Sequence, residues 1–189
     1  MCASTLQLPF GRSQLDVHVP VANLLGVFAP RPAPAAAGET MLLREALAQP
    51  TGTPPLRALA QPGQRVVIVT SDATRPCPSD RLLPMILDEL TAAGVPDSDI
   101  TVVIALGLHR PMEPAELEAA VGPAVYRRVR VVNHDPTDTV HLGETTAGTP
   151  VELFRPVVEA DLRVCLGNLE FHYFAGYSGG AKAILPGCA

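Results

Sequence analysis

The sequence predicts an α/β fold with a mainly parallel sheet. Four short runs rich in apolar and β-branched residues occur between residues 65 and 168. Continuous apolar runs of this kind are typical of strands buried on both faces. Segments with helical periodicity separate the first three runs, and such alternation favours parallel pairing. We therefore expect residues 1–189 to form one Rossmann-like α/β domain with helices packed on the sheet.

Local patterns assign the strands and connections in order. An alternating run at residues 15–19 predicts a half-buried strand, and the Pro/Ala-rich residues 29–38 predict a connector. Residues 138–153 predict a hairpin or an extended arm. The buried strands are predicted at residues 65–69, 100–106, 128–133 and 160–168.

Three segments have the periodicity of helices. They span residues 39–49, 79–94 and 113–122. In the second, Ser79 is the predicted N-cap and Gly94 lies past the predicted end. Pro84, near its second turn, is expected to kink that helix.

Composition and charge exclude several classes of protein. The net charge is −5 and no basic cluster is present, which argues against a nucleic-acid partner. No apolar run approaches the roughly 18 residues of a membrane span, and the N-terminus lacks the pattern of a signal peptide. We therefore expect a cytoplasmic protein. The four cysteines have no zinc-like spacing, and Cys165 is predicted to be a buried, structural thiol.

Polar side chains gather where three predicted strands end. Ligands of parallel sheets bind beyond the carboxyl ends of the strands, so the three following loops predict one shared cleft. Each feature also has a structural alternative, such as a turn-stabilising Asp–Arg pair, a loop histidine or a solvated Arg110. The candidate side chains are Asp72, Thr74, Arg75, His109, Arg110, Glu170, His172, Ser178 and Lys182.

Lys182 is the only lysine, although the chain has 14 basic residues. It follows a Gly-rich stretch, but a phosphate-binding P-loop is excluded because Ala181 and Ala183 occupy positions that need Gly and Ser or Thr. The following residues predict a helix start, whose dipole would favour the free amine. A free amine suits imine formation or acylation, which arginine cannot perform.

Three motifs together resemble the nickel-pincer-nucleotide lactate racemases and related 2-hydroxy-acid racemases and epimerases. The motifs are SDATRP at 71–76, GLHRP at 107–111 and HYFAGYSGGAK at 172–182, with supporting similarity in PVANLLGV at 20–27. The resemblance runs over nearly the whole chain. It implies a small 2-hydroxy acid as substrate and cofactor-biosynthesis enzymes as partners.

The resemblance also implies roles for individual residues. Lys182 would carry the cofactor, the nickel complex of pyridinium-3,5-bisthiocarboxylic acid mononucleotide, as a covalent thioamide. His109 and His172 would be the paired acid and base, while Arg75 would bind the substrate carboxylate. Asp72 would orient one of the histidines or Arg75. The residues expected to shape the pocket and contact the cofactor are Ser178, Gly179 and Gly180.

The implied reaction interconverts D and L hydroxy acids by proton-coupled hydride transfer. One histidine takes the hydroxyl proton while the pyridinium ring takes the hydride, giving a 2-keto acid that accepts the hydride back on its other face. In the family a nickel-binding histidine and a second domain follow the lysine, so none of the metal ligands is expected within this chain. We therefore expect an N-terminal fragment that is inactive alone.

Two other functions are compatible with the residues. Lys182 could form a Schiff base in a lyase acting on a carbonyl substrate. Alternatively, the cleft could belong to a non-catalytic α/β domain that binds an anion.

Overall fold

The computed structural model describes residues 3–29 and 38–189. The chain divides into two compact units, Met1–Ala37 and Gly38–Ala189. The connector predicted for residues 29–38 lies outside the described residues except at its two ends.

The first unit is a β-hairpin. Strands β1 (Ala3–Phe10) and β2 (Ser13–Pro20) pair antiparallel around a turn that contains Gly11 at φ 59°. The strand expected at residues 15–19 is therefore present, whereas the alternating pattern of β1 was not recognised in the sequence. Opposite residues such as Leu6 and Val17 put apolar side chains on one face.

The second unit is built on a four-stranded parallel sheet, which confirms the predicted α/β class. The sheet strands are β3 (Val66–Ser71), β4 (Ile100–Ala105), β5 (Arg130–Asn133) and β8 (Leu162–Leu166). Their order across the sheet is β5-β4-β3-β8. Strands β6 (Thr139–Glu144) and β7 (Pro150–Phe154) form the hairpin expected at residues 138–153.

Helices flank the sheet, and two apolar clusters lie on its two faces. Along β3, Val66 and Ile68 enter one cluster while Val67 and Val69 enter the other, as the two-residue period of a strand requires. The α-helices are α1 (Glu39–Ala48), α2 (Leu56–Leu59), α3 (Ser79–Ala92), α4 (Pro114–Val121), α5 (Pro123–Arg128) and α6 (Arg155–Glu159).

Helix α3 begins differently from the sequence expectation. Pro78 is the N-cap and Ser79 is the first helical residue, so the predicted cap was wrong by one position. The Ser79 hydroxyl lies 2.7 Å from the Thr70 hydroxyl and is buried there instead of capping the helix. The helix continues through Pro84 to Ala92.

Strand β8 lies at an edge of the sheet, which corrects its prediction as a strand buried on both faces. Its side chains alternate between partly buried and exposed. Cys165 is accordingly exposed, contrary to the expectation of a buried thiol. A charged residue within this strand, Arg163, was the sequence signal against full burial. Its side chain donates hydrogen bonds to the carbonyl oxygens of Val157 and Val158.

Further short elements join this second unit. A 3-10 turn at Gly180–Ala183 follows the small antiparallel pair β9 (Phe171–His172) and β10 (Gly176–Tyr177). Across the described residues, none of the helices has the length and apolar character needed to cross a membrane.

Candidate active site

Three polar loops follow the adjacent parallel strands β3, β4 and β8, so all three leave the sheet at the carboxyl ends of its strands. Backbone contacts hold them together. The Gly107 N–H donates to the Gly187 carbonyl at 3.0 Å, which ties the loop after β4 to the chain beyond Lys182. A Cβ placed on Gly167 would lie 3.6 Å from the Gly179 Cα and 3.7 Å from the Ser71 hydroxyl, so the loop after β8 packs on the end of β3.

Asp72 and His109 form the closest side-chain pair in this region. The Asp72 side chain is 6% exposed, and one of its carboxylate oxygens lies 2.5 Å from His109 Nδ1. An ionised carboxylate only accepts hydrogen bonds, so Nδ1 must carry the proton in this contact. In the neutral ring, Nε2 is then left as the basic nitrogen. The His109 side chain is 49% exposed, so the ring remains accessible.

The environment of Asp72 stabilises its ionised form. Burial by itself would raise the pKa of Asp72, but hydrogen bonds from Thr74 and His109 outweigh that cost and lower it. The Thr74 hydroxyl and N–H donate to the other carboxylate oxygen at 2.7 and 3.1 Å. Asp72 therefore orients His109, one of the two partners that the sequence left open.

His172 lies in a contrasting hydrogen-bond environment. Its Nδ1 accepts the backbone N–H groups of Phe174 and Ala175 at 3.3 and 3.2 Å. A backbone N–H can only donate, so Nδ1 is unprotonated and the neutral ring carries its proton on Nε2. Within residues 3–29 and 38–189, no hydrogen bond or ion pair joins His172 to Asp72 or His109.

Arg75 and Arg110 differ in their availability for an anion. The Arg110 guanidinium makes two hydrogen bonds to the Glu116 carboxylate at 2.6 and 2.7 Å and another to the Pro111 carbonyl. Arg75 is half-buried, and its guanidinium has no hydrogen-bond or ion-pair partner among the residues that the structure describes. Of these two arginines, Arg75 therefore has a guanidinium without a partner in the described residues, whereas the charge of Arg110 is paired with Glu116.

A cleft of about 550 Å³ lies beside Arg75. Asp72 and Arg75 line it together with the start of α3 and one side of α4. The arginine thus borders a space large enough for a small organic acid.

Lys182 lies in the 3-10 turn and is half-buried. This turn has four residues, and residues 184–189 contain no α-helix, so the prediction of an α-helix that begins here is wrong for the described residues. In the described part of the chain, the Lys182 amine has no carboxylate or carbonyl partner. Gly180 has φ 52° and a Cβ there would meet nothing within 4 Å, so open space adjoins the lysine.

Ser178 and Gly179 shape the approach to Lys182. The buried Ser178 hydroxyl donates to the Asn168 carbonyl at 2.8 Å and accepts the Glu170 N–H at 3.0 Å. Gly179 has φ 74°, and a Cβ there would lie 2.9 Å from the Asn168 carbonyl oxygen. These residues close the loop on itself; their contact with a cofactor stays a prediction.

Two further residues support the site, and neither was assigned a role from the sequence. The Asn133 side chain accepts the Met112 N–H at 3.1 Å and donates to the Met112 carbonyl at 2.9 Å, which fixes the far end of the loop that carries His109. Thr74 was noticed only as a polar loop residue. The signal for both was their position at or just after a strand end.

Metal ligands do not cluster in the described ranges. Within residues 3–29 and 38–189, no group of three or more His, Cys, Asp and Glu side chains is arranged to hold a metal ion.

Comparison with known proteins identifies the family. Residues 10–189 match the family described as the lactate racemase N-terminal domain. This chain belongs to that family. The predicted resemblance to the lactate racemase family is thereby confirmed, and the part of the family that this chain matches is the N-terminal domain.

Individual relatives agree with this assignment. The chain is 34% identical over 191 residues to a lactate racemase of Thermoanaerobacterium thermosaccharolyticum, covering 98% of this chain and 45% of the relative. It is 32% identical over 189 residues to a lactate racemase of Lactiplantibacillus plantarum, covering 97% of this chain and 44% of the relative. The structure of the lactate racemase apoprotein from T. thermosaccharolyticum has a TM-score of 0.81 and 35% identity, covering 98% of this chain and 44% of that protein. The chain thus spans less than half the length of these relatives.

Proposed function

We propose that this chain is the part of a 2-hydroxy-acid racemase that supplies the acid–base pair, the carboxylate-binding arginine and the cofactor-bearing lysine. The observation that carries this proposal is the difference between the hydrogen-bond partners of the two rings: Nδ1 of His109 faces a carboxylate, whereas Nδ1 of His172 accepts backbone N–H groups. In their neutral forms, His109 offers a lone pair at Nε2, whereas His172 offers a proton at Nε2. Inversion of a hydroxy-acid carbon needs a base and an acid. In one direction neutral His109 takes the hydroxyl proton at Nε2 and becomes imidazolium, while His172 supplies a proton to the keto oxygen from its own imidazolium form; in the other direction the two rings exchange these roles.

Arg75 is the proposed anchor of the substrate. Its guanidinium is without a partner in the described residues, borders the cleft and follows Asp72 by three positions. A guanidinium can bind a carboxylate through two parallel hydrogen bonds, which orients the acid as well as attracting it. Asp72 lines the same cleft and is hydrogen-bonded to His109, so a small 2-hydroxy acid held by Arg75 would lie near the residue that orients this histidine.

Lys182 fits the attachment of a cofactor through its amine. It is the sole lysine, its amine is free within the described residues, and the adjoining glycine leaves space. The nickel-pincer nucleotide, when bound, supplies the hydride acceptor that the chain's own side chains lack. The enzymes that make this cofactor are the proposed partners.

Paired arginine variants test the anchor. In the intact protein produced with the cofactor-making enzymes, Arg75→Lys should lower kcat/KM for lactate by about 10- to 100-fold, because it removes one arm of a charged double hydrogen bond. Arg110→Lys is the matched control and should change it by less than about threefold, because Arg110 is held by Glu116 at the protein surface. Equal effects of the two variants would contradict the role of Arg75.

A histidine variant tests the acid–base pair. His109→Ala should lower racemisation by about 10²- to 10⁴-fold, the usual contribution of a positioned acid or base. Intact binding of nickel by this variant would show that the loss lies in proton transfer. Unchanged racemisation would contradict the acid–base role of His109.

A further inference from the structure

We propose that Thr74 is a positioning residue that, through Asp72, determines which nitrogen of His109 is basic. The importance of this for catalysis rests on the proposed function, but the hydrogen-bond arrangement does not. Thr74 donates twice to one oxygen of the Asp72 carboxylate, at 2.7 Å from its hydroxyl and 3.1 Å from its N–H. The other carboxylate oxygen faces His109 Nδ1 at 2.5 Å.

Thr74 fixes the orientation of the carboxylate. Two donors on one oxygen prevent rotation of the group, so the second oxygen is held toward the imidazole. The Asp72 side chain is 6% exposed, and water is therefore a poor substitute for a lost donor. Without the Thr74 hydroxyl, this oxygen of the carboxylate keeps a single, longer hydrogen bond from the Thr74 N–H. Its hold on the Nδ1 proton of His109 should weaken.

Packing does not explain the presence of this threonine. Thr74 is exposed, so neither its methyl group nor its hydroxyl fills the core. Its side-chain hydrogen bond in the described residues is the one to Asp72. Valine has nearly the same shape but no donor, so Thr74→Val removes that one interaction with little change in packing.

The same chain contains a matched turn without a bound histidine. After β5, Thr137 donates its hydroxyl and N–H to one oxygen of Asp135 at 2.7 and 2.8 Å. Thr137 is also exposed. Within the described residues, no histidine ring is hydrogen-bonded to Asp135. Thr137→Val is therefore a control for the general effect of removing a turn-stabilising hydroxyl.

The test reads the histidine rings of the 189-residue chain directly, by long-range ¹H–¹⁵N correlation at about pH 8, above the ordinary imidazole range. No substrate, metal or cofactor is added. In the unmodified chain, His109 should favour the Nδ1–H form by at least about tenfold, as a charged hydrogen bond of this kind implies. Thr74→Val should reduce that ratio by about fivefold, the value of one hydrogen bond, while Thr74→Ser should restore it.

The outcomes separate positioning from a structural role. Thr137→Val should leave the His109 ratio unchanged, and amide spectra establish that each variant is folded. A ratio in folded Thr74→Val equal to that of the unmodified chain would overturn the proposal, as would an equal change in Thr137→Val. If Thr74→Val does not fold, the comparison of Thr74→Ser with Thr74→Ala provides the same contrast.

A kinetic measurement then connects the result to catalysis. In the intact protein with cofactor, Thr74→Val should shift the pH profile of kcat and lower kcat more than it changes KM, because the substrate anchor is untouched. Absence of racemase activity in the unmodified protein would contradict the proposed function and leave the ring measurement standing. A changed ratio of the two neutral forms of His109 with an unchanged pH profile of kcat would contradict the catalytic part of this inference.

Discussion

Replacing His134 by phenylalanine tests the cost of burying a neutral imidazole. His134 is 1% exposed and follows β5. Neither ring nitrogen has a hydrogen-bond partner among residues 3–29 and 38–189. The ring packs edge-on against Phe154 with the centroids 5.7 Å apart, so another aromatic ring suits the position.

The magnitude follows from proton linkage. Burial lowers the pKa of His134, and the opposing effect of Asp135 is smaller. On acidification the imidazole of the unfolded chain therefore takes up a proton before that of the folded chain. The free energy of unfolding is highest above the imidazole pKa of the unfolded chain, about 6.5, and decreases as the pH falls below it. The loss approaches about 1.4 kcal/mol per pH unit until the folded pKa is reached. The orphaned nitrogens add a cost of about 1–3 kcal/mol at every pH.

Urea unfolding at about pH 7.5 and about pH 5.5 measures both contributions. His134→Phe should gain stability relative to the unmodified chain on going from the higher to the lower pH, by up to about 1.4 kcal/mol. His134→Gln is the control that cannot ionise but stays polar, so it should show the same pH-dependent gain while remaining less stable than the phenylalanine variant. A free-energy difference between His134→Phe and the unmodified chain that does not change with pH would refute the reasoning.

Other predictions concern the loops around the site. Gly179→Ala should lower the free energy of unfolding by about 1–3 kcal/mol in the same urea assay, because essentially only glycine adopts φ 74° with ψ −174° and the new Cβ would meet the Asn168 carbonyl. Gly180→Ala should lower it by less, because open space surrounds the new Cβ. Ser178→Ala should cost about 1–3 kcal/mol through its two lost hydrogen bonds and speed amide exchange nearby. Asp72→Asn should destabilise the chain at neutral pH, and the difference should shrink in acid because the pKa of Asp72 is lowered by folding.

The central strands could be predicted because their environment is uniform. Strands β3 and β4 have neighbours on both sides, so their sequences are apolar on both faces. Strand β8 has one neighbour, and its alternating burial follows from the sheet order, which the sequence does not reveal. Strand β1 and helix α5 were missed because their runs are short or interrupted by proline.

The candidate site was predictable in its location but not in its contacts. The three loops could be placed at one edge because parallel strands end on the same side. The choice of His109 over Arg75 as the partner of Asp72 depended on a three-dimensional distance. The ion pair between Arg110 and Glu116 likewise depended on how α4 packs, so the sequence could not separate the free arginine from the neutralised one.

Intact-mass spectrometry tests the central claim most directly. The intact protein, produced with the cofactor-making enzymes, should carry a covalent adduct that peptide mapping assigns to Lys182. Lys182→Arg keeps the positive charge but removes the nucleophilic amine, so the adduct, nickel retention and racemisation should disappear together. An unmodified Lys182 in active protein, or an arginine variant that still binds nickel and racemises lactate, would contradict the account.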